Sequence, residues 1–93
     1  MAGFTTISSK QLSANGDVFA GSARVKSIWI AHSATAGTVV LRDGGSTGTV
    51  RCTLNTAAVL GEYQSDIPEP GIKCSNPHIT IGGGVSFVTV FYD

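Results

Sequence analysis

Turn-forming residues interrupt this chain roughly every 8–12 residues, which is the rhythm of a sandwich or barrel. Asn15-Gly16 is a two-residue hairpin signal, because both central positions of that turn need positive φ. It predicts a hairpin joining residues 8–14 to 17–21. Asp43-Gly44-Gly45-Ser46-Thr47-Gly48 is placed to link 38–42 to 49–54, and Gly82-Gly83-Gly84 to link 78–81 to 85–92. Pro68-Glu69-Pro70-Gly71 reads as a rigid bend, with proline fixing φ and glycine free to turn left-handed.

Between the turns the side chains alternate with a period of two. Val50, Cys52 and Leu54 share one face of a strand, with Thr49, Arg51 and Thr53 on the other. Two runs break that pattern by being apolar on both faces: Ile28-Trp29-Ile30-Ala31, and residues 85–92, where Phe87 and Phe91 oppose Val88 and Val90. One small core is hard pressed to bury both faces of both runs, so one face is expected to meet another subunit. Phe19, Phe87 and Phe91 are assigned to core packing. Residues 56–61 are the sole helical candidate, too short and closed by glycine. The fold expected is all-β: a small antiparallel β-sandwich, jelly-roll-like, of seven or eight short strands in a single domain over residues 1–93, with a radius of gyration of roughly 12 Å.

Such a domain exposes most of its side chains, yet only 13% of its 93 residues are charged and the formal net charge is zero. Soluble proteins typically carry about 25%. A neutral Ser/Thr/Gly surface has little self-repulsion, which points toward a structural or binding role rather than an enzyme. The six basic residues are dispersed and the pI is near 6.7, so nothing favours direct nucleic-acid binding. No span approaches the roughly 18 apolar residues of a membrane helix. Residues 1–6 lack the features of a signal peptide, so a cytoplasmic site of synthesis is expected. Cys52 and Cys74 match no zinc spacing and read as buried free thiols, with a bridge between them conceivable only if their strands are neighbours.

Catalytic constellations are scarce. His32 and His78 could act as bases near Ser33 and Ser75, but no nucleophile elbow is present, and part-exposed strand-end histidines are the expected reading. A metal site on the two histidines would need a third ligand such as Asp43 or Asp66, for which no spacing argues. No catalytic residue, metal or cofactor is assigned. The glycine runs precede no helix and carry no GK[ST], so they are not phosphate loops. Trp29 and Tyr63 are the residue types that concentrate at interfaces, and with Phe4 and Ile7 they are the interface candidates. Residues 1–9 could form a docking arm that adds a strand to a neighbour's sheet.

Several segments in order carry a resemblance: Val25-Lys26-Ser27-Ile28-Trp29-Ile30; Gly37-Thr38-Val39-Val40-Leu41-Arg42-Asp43-Gly44-Gly45; Gly48-Thr49-Val50; Leu54-Asn55-Thr56; Ile67-Pro68 with Pro70-Gly71-Ile72; and Ser86-Phe87-Val88-Thr89-Val90-Phe91-Tyr92. Over residues 15–93 the chain resembles short virion structural β-proteins of marine bacteriophages (cyanophage- or pelagiphage-like). Cys52, Cys74 and the segment 33–36 depart from the pattern. The resemblance implies an accessory virion protein assembled in the host cytoplasm. Its first role would be a capsid decoration or cement protein, a homo-oligomer with a trimer favoured, bound to the major capsid protein. A tail or neck component and a receptor- or glycan-binding module are the alternatives.

Overall fold

Two strands carry this molecule, and the rest of the chain decorates them. A computed structural model describes residues 7–68 and 70–93, and among these there are seven strands and no helix. They are β1 (Ser8–Leu12), β2 (Gly16–Asp17), β3 (Ser22–Asp43), β4 (Thr49–Thr56), β5 (Gly61–Asp66), β6 (Ile72–Ser75) and β7 (Pro77–Tyr92). All pairings are antiparallel. β3 and β7 pair from Val25↔Tyr92 to Asp43↔Pro77, with breaks at Lys26 and at 33–36. β4, β5 and β6 add to the other side of β3, and β1 and β2 to the other side of β7.

A flat strand of 22 residues would span about 70 Å at roughly 3.3 Å per residue, yet the longest dimension is 44 Å. β3 is therefore doubled over. Its two ends meet through one residue: Ser22 pairs with Ser75, and the Ser75 amide donates to Asp43 Oδ1 at 2.8 Å. β7 doubles with it, so the sheet folds into two layers. The front layer holds β1, the second half of β7, the first half of β3, and β5 and β6 in line along one edge. The back layer holds β2, the first half of β7, the second half of β3, and β4.

The corner explains the glycine triplet. The β3–β7 register shifts between Ala31 and Gly37, opposite Gly83. A Cβ on Gly84 would sit 2.1 Å from the Thr35 carbonyl oxygen, and Gly83 has φ 68°. These glycines let two backbones bend against each other within a continuous strand, rather than forming the link between separate strands that the sequence suggests. Asn15-Gly16 likewise makes no hairpin. β1 and β2 do not pair with each other; both lie along β7, one in each layer. The turn at 43–48 forms as expected; of the bend expected at 68–71, Glu69 lies outside the described residues, while Gly71 has φ 97° and its amide donates to the Pro68 carbonyl. At the rim away from the corner Asn76, at φ 54°, exchanges hydrogen bonds with Gly21 (2.8 and 2.9 Å).

Between the layers lies one core. The front contributes Val25, Ile28, Ile30, Cys74, Val88 and Val90, the back Val18, Val39, Leu41 and Ile79. Each fully buried branched side chain is worth about 1.5–3 kcal/mol. Two bulges set which residues face it. A register shift between Val25 and Ser27 leaves Lys26 extra, so Ala23 and Val25 face inward and so do Ile28 and Ile30. A second leaves Arg51 extra. Leu41 then pairs with Cys52 but Arg42 with Val50, which turns Val50 out to solvent instead of inward. Both thiols are free, Cys74 buried and Cys52 half-buried, on strands that do not pair with each other.

Candidate functional site

The outer face of the front layer is built by the same alternation that fills the core. Because Ile28, Ile30, Val88 and Val90 point inward, Trp29, Phe87 and Phe91 must point outward. The register sets them in adjacent rows: Phe91–Ser27–Asp66, then Thr89–Trp29–Gln64, then Phe87–Ala31–Glu62. Trp29 stays 44% exposed and Phe87 41%, although both stand on central strands. The Trp29 and Phe91 rings meet edge to face at 5.1 Å. The indole is also held by polarity. Its Nε1 donates to Ser27 Oγ at 2.9 Å, and Ser27 Oγ faces Asp66 Oδ1 at 3.1 Å and the Ser65 carbonyl at 3.2 Å as acceptors.

Beside Trp29 is an open depression of about 150 Å³, lined among others by Ala31, Glu62, Tyr63, Gln64 and Phe87. Glu62 forms no ion pair with a described residue. Toward the rim the same face changes sign: Arg24 is exposed directly opposite exposed Lys73, with Asp93 bordering them. The face thus carries Glu62 at the corner end, the aromatic rings with Asp66 in the middle, and Arg24 and Lys73 beside Asp93 at the rim.

The interface candidates fare unequally. Trp29 is at the centre of this face. Tyr63 lines the same depression, but its partner is Ile30, so its side chain leaves β5 on the core side of the sheet edge. Ile7 is exposed one residue before β1, at the rim end, away from the depression. Phe4 lies outside the described residues, as does most of the 1–9 arm; Ser8 and Ser9 pair with Tyr92 and Phe91 of their own chain. Phe87 and Phe91, expected in the core, are instead on the open face. Phe19 is 41% exposed, its ring 5.5 Å from that of Tyr92. The parity of residues 85–92 is the sequence signal for the first two.

Other chemistry does not assemble. His32 and His78 are both buried rather than part-exposed. His32 Nδ1 lies 3.2 Å from the Ser33 carbonyl and His78 Nδ1 2.9 Å from Asp17 Oδ1, and neither ring bonds a hydroxyl or thiol among the described residues. Burial pushes both thiols above their ordinary pKa; Asp43 pushes Cys74 further the same way and Arg51 opposes it. Raised thiols are poor nucleophiles at neutral pH. No three His, Cys, Asp or Glu side chains gather among the described residues.

No family model and no curated protein matches the chain. Among solved structures it is similar to a chain from the Bacillus endospore appendages, described as "a novel family of disulfide-linked pili", at 16% identity and a TM-score of 0.49, covering 99% of this chain and 92% of that one. A likeness at that level says nothing about the site.

Proposed function

We propose that this chain is an assembly subunit whose front face is covered in its working state, and that it serves as an accessory virion protein, a capsid decoration or cement protein that joins neighbouring shell subunits. The observation that carries the reading is the pair Trp29 and Phe87, open to solvent at the centre of a sheet, with half-buried Phe91 packed against Trp29 beside them. Apolar patches with a polar rim are the usual mark of a protein contact. Large aromatic side chains bury about 150–250 Å² each. Covering what these three leave exposed removes roughly 250 Å² of apolar surface, worth about 6 kcal/mol before association costs. Repetition over a symmetric shell would multiply a contact of that modest size. The virion assignment is supported by the resemblance to marine phage proteins and by the uncharged surface.

The test is direct. Particles assembled without the protein should release their DNA at a lower temperature than complete particles. Equal heat resistance would count against a cementing role, and a six- or twelve-fold ring in solution would favour a tail or neck position. One feature supports a second reading: an ordered tryptophan beside Glu62 and Gln64 in a shallow depression suits the face of a sugar ring. A glycan array that stays blank at high protein concentration would retire it.

A further inference from the structure

Three charges on the front face form no ion pair with a described residue, although Asp93 flanks Arg24 on the side away from Lys73. Arg24 and Lys73 stand directly opposite each other, a like-charge cross-strand pair that costs stability. Neither forms an ion pair with a described residue, and Glu62 forms none at the other end of the face. Their spacing is regular. Along β3, Arg24 is three residues before Ser27, and Ala31, the partner of Glu62, is four residues after it. The two charged rows are about 20 Å apart at roughly 3.3 Å per residue, with the bulge shortening the path. Counted on β7, the rows stand at Asp93 and Phe87, so the midpoint is the row of Ile28 and Val90, between the outward rows of Ser27 and Trp29.

A face with anion and cation equidistant from its centre is complementary to itself when turned end for end. We infer that two copies of this chain pack front face to front face about a two-fold axis between the rows of Ser27 and Trp29. Arg24 and Lys73 of each then meet Glu62 of the partner subunit, and the aromatic rings are enclosed between the copies. In such an isologous contact each pairing occurs twice. An Arg or Lys arriving beside Glu62 also approaches Trp29, whose indole face attracts cations. The occupant of the face is thus a second copy, and the closed unit is a dimer, unlike the trimer that the phage resemblance implies. The inference rests on the reading of the front face as covered, and it adds what covers it and in which orientation.

Sedimentation equilibrium of the full chain over a range of concentrations tests it, with circular dichroism to confirm that each variant is folded. The wild type should reach the dimer mass. Glu62→Lys alone, and Arg24→Glu with Lys73→Glu, should each weaken dimerisation about tenfold or more, because every reversal places two like-charge contacts across the axis. Mixed one to one, the two variants should form a heterodimer, since both contacts are then restored. Lys10→Glu, a reversal on β1 off this face, should leave the dimer intact. A monomer at every concentration, a three-fold mass, or failure of the mixed variants to pair would overturn the two-fold contact. If Trp29→Ala abolishes association while all charge reversals leave it unchanged, the face is still covered and only the orientation is wrong. If Trp29→Ala changes neither association nor incorporation into particles, the reading of the face itself falls.

Discussion

The two outer faces of this molecule are made by the same two strands, yet they present opposite surfaces. On the back layer β3 and β7 show Thr38, Val40, Arg42, Thr80 and Gly82, flanked by Thr53 and Asn55 of β4 and, at the edge, by a single exposed Val50. These side chains satisfy one another: Thr38 Oγ1 lies 3.3 Å from Asn55 Oδ1, Arg42 donates to Thr80 Oγ1 and to the Gly48 carbonyl, and His78 is held by Asp17. On the front layer the corresponding places are taken by Trp29, Phe87 and Phe91, with Glu62, Arg24 and Lys73 forming no ion pair with a described residue. A threonine-covered sheet can stay in water, whereas a row of aromatic rings gains free energy when covered. A face that has completed its own hydrogen bonds has little left to offer a partner. The asymmetry marks the front as the side that meets something.

The harshest way to break this contrast is at the corner that both faces share. Gly84→Val forces side-chain atoms against the Thr35 carbonyl. It should cost about 3 kcal/mol or more and unfold both layers in one transition. Trp29, the one tryptophan, reports the front and far-ultraviolet dichroism reports the whole; separate midpoints for the two signals would show the layers to be independent. A smaller effect confined to the back face is expected from Asp17→Asn. Weakening the bond to buried His78 should remove about 1 kcal/mol of folding stability and leave self-association unchanged, as urea melts and sedimentation would show. A change in association would mean that the back face is also used.

The smallest expected effect compares the thiols of the two layers. Both have folded-state pKa values above those of the open chain. Below roughly pH 8.5 both states keep their protons and stability is unaffected. As pH rises beyond it the unfolded chain loses its thiol protons first, so stability falls until the folded pKa is passed. Cys74→Ala should flatten this alkaline decline more than Cys52→Ala, because Cys74 is fully buried and also faces the carboxylate of Asp43. An unchanged slope in both variants would place its cause elsewhere.

Much of the architecture is legible in the sequence because it depends on local pattern. Alternation identifies strands, Asp43–Gly48 suffices for a hairpin, and Val88 and Val90 opposing Phe87 and Phe91 fixes which sets share a face. The features that escape depend on contacts distant in sequence. A glycine run permits a hairpin or the close passage of two bent strands, and only the Thr35 carbonyl against Gly84 decides between them. Asn15 looks like a turn residue, but its side chain accepts a hydrogen bond from the Ile81 amide, 66 residues away. The bulges at Lys26 and Arg51 reverse the parity of the neighbouring positions without any signal in composition, which is why alternation alone puts Val50 on the wrong face. The aromatic face is half visible. Its need for cover follows from two runs apolar on both sides, while assigning its phenylalanines to the core assumes that large rings go inside. In this fold the narrow gap between layers is filled mainly by branched aliphatics, with Tyr92 at its margin, and Phe87 and Phe91 are left outside.

Since β3 and β7 each pass through both layers, the layers have no seam of weak contacts along which they could part. To pull them apart, a force must straighten two polypeptides at the glycine corner and expose the core between the layers, while the β3–β7 ladder stays paired. A tile built this way transmits load through covalent backbone from one surface to the other. Opening at the rim is resisted by the shared apolar core and by the stiffness of the bend, with the ladder itself left whole.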